Sequence, residues 1–565
     1  MSQKPWIAHY VKGCRAEVPS LPYKSLGDLF LAKSRECSSD VAFRQVMPNG
    51  MHASMTYQQT LERAHSFATW LREEAGVQEG DRVAIQMPNC LAYPIAVFGT
   101  VLAGGVLVNT NPLYTPTEME HQFKDSGAKV LVIIDLFADR LPGILSKTSI
   151  EKVVVVKITE FFPALQGTII RAVQKYVKKM IPAANFEHVT LPAILAKGHA
   201  LSRGKDPGRY IKNVQASTLA ALQYTGGTTG VSKGAMLTHG NLITNVLQML
   251  EIAGDYLRDG EKILTALPLY HIFAFTVNLV AFYLKGGENI LIPSPRPLTN
   301  LKKPFEKFGF TWMTGVNTLF NGLCNEDWFR ANPPKMKMAV AGGMALQGAV
   351  AKRWQEITGT SVCEGYGLTE TAPVLTFNPI GGKVKADTIG VPVPSTDLKL
   401  VDDNGNEVKQ GEPGEILAKG PQVMQGYWQR KDETDKVMTS DGWLRTGDIG
   451  TMDEEGYFRI VDRKKDMVLV SGFNVYPNEV EERLATHPGV LECAVIGVKD
   501  EQSGEAVKAF VVKRPGHDNL SADEVVAHCR KSMTGYKVPK HVEFRTELPK
   551  SPVGKILRKE LRPKA

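Results

Sequence analysis

The sequence predicts an α/β protein, with a large N-terminal region of helix-covered sheets followed by a small α+β unit. Three observations carry that prediction. The chain has 565 residues, more than the roughly 100–200 of a single domain. From residue 24 to about 460, apolar strand-like runs alternate with amphipathic helical stretches. After about Asp462 the texture changes to a charged, glycine-punctuated stretch, and two helix and two strand candidates follow it. The expected division is 1–461, a hinge at 462–466, and 467–565.

In the first region "DRVAIQMPN", "AKVLVIIDL", "KVVVVKI", "STLAALQYT" and "KILTALPL" have strand character. Strands that alternate with helices form parallel sheets under helical cover. Residues 91–108, "LAYPIAVFGTVLAGGVLV", carry no charge over 18 residues, the lower limit of a membrane span. Pro94 and the Gly104-Gly105 pair interrupt them, so a buried helix, a glycine stop and a strand fit better. Residues 161–181 place Leu165, Ile169, Val173, Tyr176, Val177 and Met180 at helical spacing, with Arg171, Lys175, Lys178 and Lys179 on much of the other side. This basic amphipathic helix suits either an anionic membrane surface or a sheet-packed helix with a solvated face.

In the last unit, Asn478 with Glu481 and Ser521 with Glu524 have helix N-cap spacing, and "LECAVIGV" and "AVKAFVVK" are strands between the two helices. Residues 531–565 hold ten Lys/Arg against three acidic residues, most of the net charge of +8. That tail is either a solvated basic surface or a cationic segment that meets anions. Nucleic acid is not expected, because no zinc-finger, basic-zipper or RNA-binding signature accompanies the charge. With 43% hydrophobic and 22% charged residues, the composition is that of a soluble globular protein. The seven cysteines are scattered without metal-ligand spacing and read as reduced thiols of a cytoplasmic protein. "MSQKPWIAHYVKGCR" is not a secretory signal.

One stretch points to chemistry. "YTGGTTGVSKGAMLTHGN", residues 224–241, follows a strand and gathers Thr225, Gly226, Gly227, Thr228, Thr229, Gly230 and Lys233. Glycines let backbone N–H groups converge on an anion, threonines add donors and the lysine adds charge. The Walker A pattern fails, since Lys233 is followed by Gly234, so a P-loop kinase or GTPase fits poorly. A helix is expected to begin near Asn241; a plain glycine turn between two strands is the alternative.

This stretch resembles the phosphate-binding motif of acyl-adenylate-forming enzymes, a superfamily of acyl-CoA synthetases, peptide-synthetase adenylation domains and beetle luciferases. Further motifs follow in that family's order: "LPLYHIFAF" (267–275), "YGLTET" (366–371), "RTGDIG" (445–450), "DRKKD" (462–466) and "PKSPVGKILRKEL" (549–561). Residues 441–465 resemble bacterial long-chain fatty-acid–CoA ligases in particular. The resemblance implies ATP-dependent ligation of a long-chain fatty acid to coenzyme A through acyl-AMP, feeding fatty-acid degradation or lipid synthesis. Mg2+ is the implied cofactor. It also implies the family's mobile C-terminal lid, and a homodimer and peripheral membrane association are expectations.

Site roles come from the same resemblance. Thr225 and Glu370 are implied for magnesium, and Tyr366 for the adenine face, with Gly367 and Thr369 beside it. Asp448 is implied for the ribose hydroxyls and Arg463 for ribose or phosphate. Gly342, Gly343 and Met344 form the wall between adenine and acyl chain. His271 lies near the carboxylate, and Phe275 gates the acyl tunnel. Lys555 neutralises the charge of adenylation, Lys465 is the hinge, and Gly472 faces the pantetheine arm after a domain rotation. By themselves Glu370 suits a helix cap, Tyr366 and His271 a core, Asp448 a turn, and Lys550 and Lys559 a solvated surface as readily as Lys555 does. A medium-chain or aryl ligase, with the same mechanism and a different pocket, is the alternative within the superfamily. A non-catalytic fatty-acid carrier is the reading from another class.

Overall fold

The computed structural model describes residues 4–225 and 231–563. All five expected strands of the first region form: Arg82–Gln86, Val130–Ile134, Lys152–Val156, Leu219–Tyr224 and Lys262–Thr265. Four belong to a seven-stranded sheet, in the order Val189–Thr190, Lys152–Val156, Val130–Ile134, Arg82–Gln86, Val106–Asn109, Leu219–Tyr224, Gly234–Thr238. Its neighbours are parallel except for the last pair. Every residue of Val130–Ile134 is buried, as expected for a strand covered on both faces. Lys262–Thr265 lies in a nine-stranded sheet with a parallel centre and antiparallel edges.

The uncharged stretch is a buried helix, Ala92–Leu102, a glycine at φ +72° (Gly104), and the strand Val106–Asn109. Among the described residues no helix is long and apolar enough to cross a membrane.

The strand–helix alternation does not extend to residue 460. Asp397–Val401, Gly414–Lys419, Leu444–Met452 and Phe458–Arg463 form a four-stranded antiparallel sheet. Aspartate turns make it so. Asp402 Oδ1 accepts the N–H groups of Asn404 and Asn406 at 2.9 Å each. Asp453 Oδ1 accepts those of Glu455 and Tyr457 at 3.0 Å each. Such turns close hairpins too short for a crossover helix.

The last unit has its own core, with Val468, Val480, Leu484, Val495, Val507 and Val525 at its centre. Its sheet contains Val468–Val470, Phe473–Val475, Val490–Asp500, Gly504–Lys513 and His541–Arg545. Ser521 and Glu524 form the expected capping box on Ala522–Arg530. Asn478 and Glu481 do not. The helix is Pro477–Ala485, capped at Tyr476, and Arg558 takes both side chains. The basic tail is largely paired: Lys537 with Glu479, Lys540 with Asp500, Lys550 with Glu492, Arg558 with Asp462 and Glu481, Arg562 with Asp466.

Residues 164–177 are helical, with Ala164–Ala172 continuing into a wider turn, Val173–Val177. Ile170 and Gln174 face the protein, and Arg171 reaches buried Asp135 rather than solvent. The apolar stripe faces outward. Leu165, Tyr176 and Val177 are 74, 71 and 74% exposed, and Ile169, Val173 and Met180 are exposed beside them.

Candidate active site

The site is assembled where the two large sheets, the antiparallel sheet and the last unit meet. Asp448 and Arg463 are cross-strand partners in the antiparallel sheet. Asp448 is buried, and both its oxygens are engaged. Tyr366, from the strand Val362–Gly367, donates its hydroxyl to Oδ2 at 2.7 Å, and Arg463 Nε lies 3.5 Å from Oδ1. Burial, then the Asp448 charge, holds the Tyr366 phenol well above its ordinary pKa, so it stays a donor. Gly367 closes this strand where nothing larger fits, since a Cβ there would lie 1.8 Å from the Pro373 carbonyl oxygen.

Glu370 sits on a single turn, Thr369–Thr371, and Tyr427 donates its hydroxyl to Glu370 Oε1 at 2.6 Å. Lys233 stacks its ammonium over the Tyr427 ring, 4.6 Å from the centroid. It also pairs with Glu433 at 2.6 Å, on the helix Lys431–Val437. The Thr225 N–H donates to the Lys233 carbonyl at 2.9 Å and closes the loop's base between two antiparallel strands. Gly226, Gly227, Thr228, Thr229 and Gly230 lie outside the described residues. The helix expected near Asn241 forms as His239–Ala253, capped by Thr238 and separated from the loop by the strand Gly234–Thr238. The loop therefore does not feed directly into a helix N-terminus.

Thr225 and Glu370 offer the hard oxygen donors that magnesium takes. Among the described residues no group of three or more His, Cys, Asp or Glu side chains could hold a metal. A donor set this sparse fits an ion that arrives with its phosphates, and such an ion neutralises phosphate charge.

His271 precedes the helical turns Ala274–Ala281, and Phe275 N–H donates to its carbonyl at 2.9 Å. His271 Nδ1 accepts from Phe273 N–H at 3.3 Å, which assigns the ring proton to Nε2. Burial, then nearby Lys555, lowers its pKa to about 4, so the imidazole is a neutral donor at physiological pH. Phe275 is 1% exposed. Gly342 and Gly343 follow the strand Met338–Ala341. A Cβ on Gly342 would stand 3.2 Å from the Phe273 ring, and Gly343 has φ +78°. Met344 packs half-buried against the main core.

Lys555 comes from the opposite side. The hairpin that carries it is closed by Ser551 N–H to the Lys555 carbonyl at 2.7 Å and Leu557 N–H to the Pro549 carbonyl at 2.8 Å. It docks through Thr318, whose hydroxyl donates to the Gly554 carbonyl at 2.8 Å. Only about 30 Å3 is left between the hairpin, Leu267, Pro268, Arg296 and Val316, room for one water. Burial, then Arg463, lowers the Lys555 pKa to about 7, while Asp448 acts in the opposite sense. Among the described residues Lys555 forms no ion pair, unlike most of the tail around it.

Lys465 borders this cleft, near enough to Arg463, Asp448 and Lys555 for charge to act between them, whereas Gly472 stands apart from it. Lys465 follows the strand Phe458–Arg463, and burial lowers its pKa. Gly472 is in an exposed turn at φ +82°, where an added Cβ would meet nothing within 4 Å. The sequence reading missed Phe273, Thr318 and Tyr427. Phe273 stood inside a quoted motif; Thr318 and Tyr427 carry no local signal.

Residues 32–428 match the profile of the AMP-binding enzyme family, and residues 479–555 that of the AMP-binding enzyme C-terminal domain. The chain belongs to the AMP-binding enzyme family. A long-chain-fatty-acid–CoA ligase of Yersinia pestis is 48% identical over 99% of this AMP-binding enzyme and 98% of the relative. One of Bacillus subtilis is 36% identical over 99 and 98%. Among solved structures, an anthranilate CoA ligase in complex with anthranoyl-AMP superposes with TM-score 0.84 at 26% identity, covering 96% of this chain and 97% of that one. ATP-bound MatB from Rhodopseudomonas palustris gives 0.80 at 29% identity, over 95 and 98%.

Proposed function

We propose that this AMP-binding enzyme joins a long-chain fatty acid to coenzyme A in two steps. The carboxylate attacks the α-phosphate of ATP to give acyl-AMP and pyrophosphate. The thiol of coenzyme A then displaces AMP. Adenylation converts a poor leaving group, oxide, into a good one. The first step drives an anion onto a polyanion, so it depends on positioning and charge neutralisation.

One observation carries the reading. Among the described residues Lys555 has no ion-pair partner, and neutral His271 and the Asp448–Arg463 pair both lie near it. There its ammonium lies between carboxylate and α-phosphate, while His271 Nε2–H donates to an oxygen of the reacting carboxylate. Asp448, held by Tyr366 and Arg463, accepts from ribose, and the Tyr366 ring supports adenine. Glu370 and Thr225 would hold magnesium, which would supply charge neutralisation to the phosphates. Lys233 takes phosphate once it leaves Glu433. Gly342 and Gly343 let adenine and acyl chain pass close together, and Phe275 gates the chain.

The second step needs Gly472 at the site, so residues 467–565 turn as a lid about Lys465, with 1–461 as the stationary part. The exposed Gly472 turn and the separate core of the last unit support this. Long-chain preference is supported by relatives that carry that name and align end to end with this chain. Rates of AMP release with acetate, octanoate, palmitate and benzoate test it, with palmitate expected fastest. Preference for benzoate or acetate overturns it, and binding without ATP consumption would mark a carrier.

The same reading makes the enzyme cytoplasmic and peripheral on the membrane. The outward stripe of Leu165, Ile169, Val173, Tyr176, Val177 and Met180, flanked by Lys175, Lys178 and Lys179, supports an interfacial helix. Replacing Leu165, Tyr176 and Val177 by serine should abolish sedimentation with anionic vesicles; unchanged sedimentation excludes the role. Sedimentation velocity tests the expected homodimer.

A further inference from the structure

Asp462 is completely buried and accepts three N–H donors. Arg463 N–H donates to Oδ1 at 2.7 Å, Arg558 Nη1 to Oδ1 at 3.0 Å, and Asn478 N–H to Oδ2 at 2.7 Å. Only the first comes from the stretch before Lys465. The other two belong to the last unit.

Arg558 has a second grip. Its Nε and Nη2 donate to Glu481 Oε1 and Oε2 at 3.0 and 2.8 Å, and Nη2 donates to Asn478 Oδ1 at 2.5 Å. Asp466 Oδ2 lies 3.6 Å away. Arg558 stands three residues beyond Lys555, at the foot of the hairpin that carries it. One guanidinium therefore holds a carboxylate within its own unit, Glu481, and a carboxylate on the strand Phe458–Arg463, across the expected pivot.

We propose that the Asp462–Arg558 contact is a latch that holds Lys555 in the cleft and must open for the thioester-forming step. The proposal rests on the hinge reading above. Turning at Lys465 carries Asn478 and Arg558 away from Asp462, so the carboxylate loses two of its three donors and its arginine partner. That loss is costly until water reaches the group. Arg558 itself is not stranded, because Glu481 and Asn478 travel with it. The device is one-sided: it stabilises the adenylating geometry and adds nothing to the other. Asp462 and Arg558 are positioning residues, since neither is placed against substrate.

The test compares two variants in both half-reactions. Asp462→Asn keeps the shape but turns one acceptor into a donor facing N–H groups. It should slow pyrophosphate–ATP exchange about tenfold and leave coenzyme A transfer from supplied acyl-AMP unchanged or faster. Glu481→Gln weakens a contact internal to the last unit and should change both half-reactions by one common factor. If Asp462→Asn does not fold, Arg558→Lys carries the test, because a single ammonium cannot bridge both carboxylates; the same asymmetry is expected. Equal slowing of both half-reactions by Asp462→Asn, or by its stand-in, overturns the latch, as does asymmetry in Glu481→Gln. The hinge reading is tested separately. If Gly472→Leu leaves transfer intact, the hinge falls and the latch with it. If Gly472→Leu blocks transfer and Asp462→Asn slows both steps alike, only the latch falls.

Discussion

Two glycine turns of the same small unit meet opposite surroundings. Gly554, at φ +87°, is clasped: a Cβ there would stand 2.9 Å from Thr318 Oγ1 and 3.2 Å from Val316 Cγ2. Gly472, at φ +82°, would meet nothing within 4 Å. Both backbones favour glycine, but only one of them is packed. The contrast separates a docked face from an open one. The clasped turn delivers Lys555 to the Asp448–Arg463 side of the cleft. On the proposed reading the open turn serves a second arrangement of the same unit.

The largest expected effect breaks the clasped side. Lys555→Ala should lower pyrophosphate–ATP exchange by roughly 100- to 1,000-fold, the scale of losing one preorganised charge-stabilising donor. Coenzyme A transfer to supplied acyl-AMP should stay within a few-fold of the parent. Equal loss in both assays removes the assignment. Gly472→Leu should do the reverse, cutting transfer about 100-fold on the same scale while exchange persists. Because the turn is open, its folding cost comes from the positive φ alone, about 1 kcal/mol. A normal transfer rate in that variant denies the open turn its role.

Gly554→Ala tests the clasp itself. The added Cβ meets Thr318 and a strained φ, so the hairpin should seat poorly and exchange should fall about tenfold with little change in transfer. A fall in transfer as large as that in exchange would mean that the hairpin serves both steps.

The pH dependence sharpens the same contrast by a smaller amount. Lys555 is lowered to about 7 in the folded protein from an ordinary 10.5, chiefly by burial. The ammonium form is needed, so kcat/KM for adenylation, which reports the free enzyme, should decline above pH 7. Bound ATP and carboxylate favour the ammonium, so kcat should hold to higher pH. The stability sign is opposite. The unfolded lysine keeps its proton up to 10.5 and binds more protons than the folded one between 7 and 10.5, so this group makes stability rise with pH across that window. Lys555→Met should remove both trends. A kcat/KM profile flat to pH 9 contradicts a lowered lysine.

The sequence made the frame legible where periodicity is strong. Val130–Ile134 reads as an unbroken buried strand, and the glycine stop after Ala92–Leu102 is explicit in Gly104-Gly105. It misread Asp397–Arg463, because hairpins closed by aspartate turns look locally like any strand–loop series. Asn478 and Glu481 carried a cap signal, but a distant arginine claimed both side chains. The site motifs showed which residues to expect, not their partners. That Tyr366 and Arg463 hold Asp448, that Glu433 engages Lys233, and that Thr318 clasps Gly554 are contacts between residues far apart in the chain, invisible to spacing. The amphipathic helix showed its stripe plainly, but which face turns outward depended on Arg171 reaching Asp135.

The central claim is that this cleft forms acyl-AMP before coenzyme A takes part. Exchange of labelled pyrophosphate into ATP, with palmitate and magnesium present and coenzyme A absent, tests it most directly. The account predicts exchange that depends on palmitate and is lost in Lys555→Ala. Palmitoyl-CoA synthesis by the same protein without any such exchange would contradict it.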